Sequence, residues 1–191
     1  MSVLRFLGNL ILAIILIVLI VLIFFAAYAV VVSKVWENVS LDQGVEGNSW
    51  AWIEGQPIYY RVWGAEQGPT VVLVHGFSVE GSQTWEANAP ALGRAGMRVI
   101  AVDLKGFGHS ARDTSATYSL RAQADILAKV LNQLKVSQAT IIGHGWGSAV
   151  ALQLAADQPQ FAGRLVLIAP QVYEEIVPRW RDVAEVRYVG P

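Results

Sequence analysis

Three short segments hold the residues whose types and spacing could do chemistry: His75-Gly76-Phe77, Asp103-Leu104-Lys105-Gly106-Phe107-Gly108-His109-Ser110, and Gly143-His144-Gly145-Trp146-Gly147-Ser148. They contain all three histidines of the chain, His75, His109 and His144, the side chains that exchange protons near neutral pH. The chain has no cysteine, which excludes thiolate catalysis, disulfide bonding and Cys-ligated zinc. No metal and no cofactor is expected. The alternating Gly143, Gly145 and Gly147 imitate a dinucleotide-binding turn, but the next strand ends in Ala169-Pro170 and offers no acidic residue to hold a ribose, so that reading is rejected. A net charge of −1, with Lys and Arg interspersed among Asp and Glu, leaves no basic face for nucleic acid and nothing that selects an acidic substrate.

The elements that must position these segments alternate in type. Apolar runs at Val71–Val74, Val99–Val102, Ala139–Ile142 and Leu165–Ile168 read as strands without polar alternation, the signature of a parallel sheet covered on both faces. Helical stretches fall between them, around Thr84–Arg94, from Ser119 onward, and from Ser148 to just before Pro159. Ser119 is the expected N-cap of a helix whose apolar face is Leu120, Ala124, Leu127, Leu131 and Leu134. Ahead of the alternation, Trp50–Ile53 and Ile58–Trp63 form a hairpin turned by Gly55–Pro57. Each candidate segment therefore lies at the C-terminal end of a strand, where open parallel sheets place their sites. The last residues, Gln171 to Pro191, have no firm assignment beyond the start of a cap or a tail.

The N-terminal region is of another kind. From Leu10 to Val32 only Tyr28 interrupts an apolar run that is long enough, at about 1.5 Å per residue, to cross a bilayer. Ala27-Tyr28-Ala29 imitates a leader-cleavage site, but the run exceeds the roughly 7 to 15 residues of a leader's apolar core, so an uncleaved, single-pass anchor is expected. Arg5 against Lys34, Glu37 and Asp42 places the N-terminus inside and the remainder on the extracytoplasmic side. Trp36 is close enough to stand at the headgroups, unlike Trp50 and Trp52. The organisation read from sequence is an anchor over 1–34, a juxtamembrane connector over 35–49, an α/β domain over 50–170 and a cap start or tail over 171–191.

The order, spacing and strand context of the three segments resemble the α/β-hydrolase family over roughly Trp50 to Pro170. The nearest patterns are esterases that read G-H-S-W-G and epoxide hydrolases and dehalogenases that read G-H-D-W-G. The resemblance implies a mostly parallel sheet flanked by helices and a strand-to-helix turn that presents a nucleophile at its centre. Here the centre is Gly145, which supplies neither hydroxyl nor carboxylate, so neither an acyl-enzyme nor an alkyl-ester can form there. An engineered inactivating replacement would read the same way. Glycine also relieves backbone strain of about 1 to 2 kcal/mol at such a turn. Ser148 is expected to turn into the helix start and bond locally.

The family order is nucleophile, acid, histidine, yet no histidine follows residue 144 in this sequence. By its motif His75 would line the oxyanion region, with Gly76 and a buried His144 completing the pocket, while His109 lies on a loop. Glu174 and Glu175 are read as exposed loop carboxylates rather than the acid. What survives by resemblance is the oxyanion hole, made by the backbone N–H groups of Phe77 and Trp146, where a small-molecule carboxylate or carbonyl could bind. The family's sheet continues beyond this pattern, so the fold is expected to be C-terminally incomplete, with Leu165–Ile168 as an apolar edge that a protein partner would cover. The resulting expectation is a membrane-anchored pseudoenzyme serving as a binding or structural subunit. The alternatives are a hydrolase of ester, epoxide or haloalkane bonds with an altered nucleophile and its remaining catalytic residues on a missing segment, and a truncated product without function.

Overall fold

A computed structural model describes residues 2–39 and 49–172, which divide into two compact units, one through Trp36 and one from Glu37. In the first, helix α1 (Ser2–Val39) contains a 31-residue stretch, Arg5–Val35, with a mean hydropathy of 3.6. At 1.5 Å per residue that stretch is about 46 Å long, long and apolar enough to cross a membrane. The helix continues past the expected end of the anchor, so residues 35–39 of the expected connector are helical, as an uninterrupted Val35-Trp36-Glu37-Asn38-Val39 run without Gly or Pro allows. Residues 40–48 lie outside the described residues.

The second unit is an α/β domain. Its elements are β1 (Ser49–Ile53), β2 (Gln56–Trp63), β3 (Thr70–Val74), a 3-10 turn (Gly81–Trp85), α2 (Ala89–Arg94), β4 (Arg98–Val102), α3 (Leu120–Gln133), β5 (Ala139–His144), α4 (Trp146–Asp157) and β6 (Ala162–Ile168). The sheet order is β1-β2-β4-β3-β5-β6, with β1, β2 and β4 successively antiparallel and β4, β3, β5 and β6 all parallel. Register aligns Val72 with Ile100 on one side and Ile141 on the other.

The uninterrupted apolar strands are explained by period-two alternation between two buried faces. Val72, Val74, Ile100 and Val102 point to one face and pack with Leu127 and Leu131 of α3 and Val150 and Leu154 of α4. Val71, Leu73, Val99 and Ala101 point to the other, against Trp85 and Ala89, with Leu92 and Met97 alongside. Helix α3 is built as its sequence requires: Ser119 Oγ accepts the Ala122 N–H at 3.2 Å, and Ala124, Leu127 and Leu131 are buried.

Several boundaries differ from the sequence reading. The expected helix over Thr84–Arg94 is two pieces, because Pro90 cannot donate in a continuous helix and instead sits in the first turn of α2. The hairpin turns on Glu54-Gly55, both with positive φ (53° and 78°), the two-residue geometry whose twist matches that of strands, so Pro57 belongs to β2. Helix α4 begins at Trp146, before Ser148, and residues 173–191, including Glu174 and Glu175, lie outside the described residues.

Candidate nucleophile elbow

Strand β5 delivers the chain to Gly145, and α4 leaves from it. Gly145 has φ 54° and ψ −121°, a left-sided conformation that costs an L-residue about 1 to 2 kcal/mol. The three glycines of the turn have different reasons to be there. A Cβ on Gly147 would lie 2.2 Å from the His75 carbonyl oxygen, and one on Gly143 would lie 2.6 Å from the Gly147 oxygen, so close backbone approach excludes a side chain at either. A Cβ on Gly145 would meet nothing nearer than Gly76 Cα at 3.8 Å. Space therefore demands glycine at 143 and 147 but not at 145, where the turn holds the shape that presents a side chain and has none to present. Ser148 is fully buried and its hydroxyl donates to the Gly143 carbonyl at 2.8 Å, which makes it a local brace and not a displaced nucleophile.

The surroundings of this vacant position come from three other strand ends. Gly76 follows β3 and faces it. Phe77, Phe107 and Trp146 form a ring cluster beside it, with centroid separations of 5.1, 6.0 and 5.7 Å and mostly edge-on contacts. Phe77 is 41% exposed, so this apolar wall opens to solvent. Trp146 is the first residue of α4, and its N–H belongs to the helix's N-terminal turn, whose donors have no acceptor four residues back within the helix. From the third side, the segment leaving β6 closes on the elbow. The Gly145 N–H donates to the Ile168 carbonyl at 2.9 Å, and the Gln171 N–H donates to the Gly145 carbonyl at 3.1 Å. Ala169 has φ 44°, unfavourable for alanine by about 1 to 2 kcal/mol and doubly so before a proline, which biases its predecessor toward extended backbone. That strained residue turns the chain back so that the Gln171 carboxamide lies 3.9 Å from the place a residue-145 Cβ would take.

His75 does not line the pocket as expected. Its ring is fully buried, with Nε2 accepting the Leu104 N–H at 3.0 Å and Nδ1 lying 2.6 Å from the Gly76 carbonyl, so Nδ1 carries the proton and donates. Burial pushes its pKa below the ordinary histidine value, against smaller opposing effects of the Gly76 carbonyl and of Asp103. The ring ties the end of β3 to the end of β4. His144 corrects the sequence reading in the opposite direction: it is exposed, because alternation along β5 turns it away from Gly143 and toward Trp85, whose ring centre is 6.5 Å away. His109 is half-buried on its loop, edge-on to Tyr59 at 5.0 Å. No two of the three histidines are brought together with Gly145 as an acid–base pair.

The residue that sequence reasoning left without a role is Asp103. It is fully buried; Oδ1 accepts the Ser82 N–H at 2.5 Å, Oδ2 accepts the His109 N–H at 2.8 Å, and its carbonyl accepts the Ser110 hydroxyl at 2.6 Å. Ser110 Oγ in turn accepts the Tyr59 N–H at 2.9 Å. The carboxylate thus pins the loops after β3 and β4 to each other. Its position directly after an apolar strand and before Gly106 and Gly108 was the available signal. Gln171 carried none. Among the described residues no cluster of three or more His, Cys, Asp or Glu is placed to hold a metal. A groove of about 610 Å³ between α3 and α4, lined by Arg121, Asp125, Leu154 and Asp157 among others, shares no residue with the elbow.

A six-stranded, mostly parallel sheet with a glycine-flanked turn of nucleophile geometry between β5 and α4 defines a hydrolase-type α/β fold. The family described as alpha/beta hydrolase fold matches residues 69–185, and the chain belongs to it. It is 42% identical over 94 residues to bifunctional epoxide hydrolase 2 of Sus scrofa, covering 49% of this chain and 17% of that protein. It is 36% identical over 117 residues to epoxide hydrolase B of Mycobacterium tuberculosis, covering 55% and 33%. With the AB hydrolase superfamily protein YfhM of Bacillus subtilis it shares 33% identity over 142 residues, 70% of this chain and 49% of that one. Among solved structures, an alpha/beta hydrolase fold protein from Burkholderia ambifaria superposes with a TM-score of 0.65 at 30% identity, covering 76% of this chain and 51% of that chain. The chain therefore spans about half or less of the length of these relatives.

Proposed function

We propose that this domain works as a binding or structural module of the α/β-hydrolase fold, held at a membrane by α1, and that it performs no covalent catalysis at its elbow. Gly145 is the observation that carries the reading: the turn keeps nucleophile geometry and open space but has no hydroxyl or carboxylate to attack with. Buried His75, with both ring nitrogens engaged, is no general base for a substrate either. What the site offers is recognition: the N-terminal turn of α4 at Trp146, the Phe77 backbone, and an aromatic wall suit a small carboxylate or carbonyl compound with an apolar body. In this reading α1 is an uncleaved anchor, the domain is extracytoplasmic, and a protein partner covers β6, whose Val166 and Ile168 are exposed and which, among the described residues, pairs only with β5.

The test is a ligand titration of the ¹⁵N-labelled full chain in detergent micelles, using butyrate and octanoate as probes. Saturable shifts confined to Gly76, Phe77, Gly145 and Trp146 support the reading, and their absence at millimolar probe refutes the binding arm. A second reading, a hydrolase whose nucleophile has been replaced, is favoured by one observation: a side chain at 145 would fit without a clash. Epoxide or ester turnover gained by Gly145→Asp or Gly145→Ser would favour it.

A further inference from the structure

The vacant side-chain position at Gly145 has a polar neighbour that neither the motif nor its resemblance assigns. The geometry points to Gln171 as the residue that hydrogen-bonds whatever group occupies that position, which in this chain must be an oxygen-bearing group of a ligand, a carboxylate or carbonyl. This rests on the reading of the elbow as a binding site and names the side chain that would select its ligand.

Independent features of the chain converge on it. The exit from β6 is held against the elbow by two backbone bonds, Gly145 N–H to Ile168 O and Gln171 N–H to Gly145 O, at 2.9 and 3.1 Å. Ala169 is kept at φ 44° to make the turn between them, a conformation alanine avoids unless its surroundings impose it. The carboxamide Cδ and Oε1 each lie 3.9 Å from the Cβ position of residue 145, so a group one or two bonds longer than a methyl comes within hydrogen-bond reach. Rotating the carboxamide by half a turn about its Cγ–Cδ bond puts its NH2 donor where Oε1 stands, and the first turn of α4 presents donors only, so an acceptor such as a carboxylate satisfies both at once. Phe77, Phe107 and Trp146 make one wall of the surround apolar.

The absence of cysteine makes the test direct, because Gly145→Cys gives the full chain a single thiol at the position in question. The rate of alkylation by iodoacetamide is followed against pH for Gly145→Cys alone and combined with Gln171→Leu, with folding of both checked by circular dichroism. A hydrogen bond from the carboxamide favours the thiolate, so the midpoint is expected about one pH unit lower when Gln171 is present. After allowing for the lower nucleophilicity of a more acidic thiol, alkylation at pH 7 is about threefold faster. His144, near Gly76, acts alike in both proteins and cancels in the comparison. A reactive thiol with coincident midpoints overturns the role of Gln171 while leaving the elbow open to ligands. A thiol inert in the folded protein but reactive in urea overturns both readings, since the position is then closed. Should Gly145→Cys fail to fold, a nuclear Overhauser contact between the Gln171 carboxamide and Gly145 α-protons in the unmutated chain takes its place. Its presence supports the assignment and its absence overturns it.

Discussion

Replacing the glycines of the 143–147 turn one at a time separates two physical reasons for glycine, lack of room and backbone shape. In Gly147→Ala the new methyl lies 2.2 Å from the His75 carbonyl oxygen and 2.6 Å from that of Val74, both backbone atoms of the β3 end that no rotamer change can move. Ordinary contact begins near 3.4 Å, so β3 and α4 must part by about 1 Å. That separation strains the His75 and Ser148 hydrogen bonds behind it. Overpacking a close-packed region costs about 1 to 3 kcal/mol, and loosening one buried hydrogen bond adds about 1, so a destabilisation of about 3 kcal/mol is expected. In Gly145→Ala the methyl has room, and only the φ of 54° is penalised, for about 1 to 2 kcal/mol. The measurement is urea unfolding of the full chain in detergent, followed by tryptophan fluorescence. A larger loss for Gly145→Ala than for Gly147→Ala would refute the assignment of space to one and shape to the other.

Other outcomes follow from the buried polar groups. Asp103→Ala removes the acceptor for the buried Ser82 and His109 N–H groups and should cost about 3 kcal/mol or more, seen as a collapse of the unfolding midpoint. Ser148→Ala loses one bond to the Gly143 carbonyl and should cost about 1 kcal/mol, while a fluorophosphonate should label neither protein; labelling that disappears in the variant would make Ser148 a nucleophile after all. His75 has its pKa lowered by burial, so below its ordinary value of about 6.5 the unfolded chain takes up a proton that the folded chain resists. Stability should therefore be unaffected by this group above about pH 6.5 and fall as the pH drops below it, a slope that His75→Gln should flatten.

How much of this was legible in the sequence depends on whether the cause was local. The strands, the Ser119 cap and the glycine-flanked turn were readable, because apolar runs, a capping hydroxyl and motif spacing each act within a few residues. The break between the 3-10 turn and α2 was also local, since Pro90 stood in plain view, and the uniform helical reading passed over it. The two histidines were misplaced for a different reason. Whether His75 or His144 is covered depends on the loop after β4 and on Trp85, 29 residues beyond the first and 59 before the second. Asp103 and Gln171 acquire roles only when separate strand ends meet, and nothing near either residue announces the partner. The open space at 145 is likewise a property of Gly76 and Gln171 rather than of the motif.

Whether the elbow can form a covalent bond is tested by intact-mass spectrometry of the full chain after incubation with a p-nitrophenyl ester and with an aryl epoxide, with product measured against buffer alone. An unmodified mass and no product above background are expected, because the elbow has geometry and space but no attacking atom. A covalent adduct mapped to residues 143–148, or turnover above background that survives purification, would contradict that expectation.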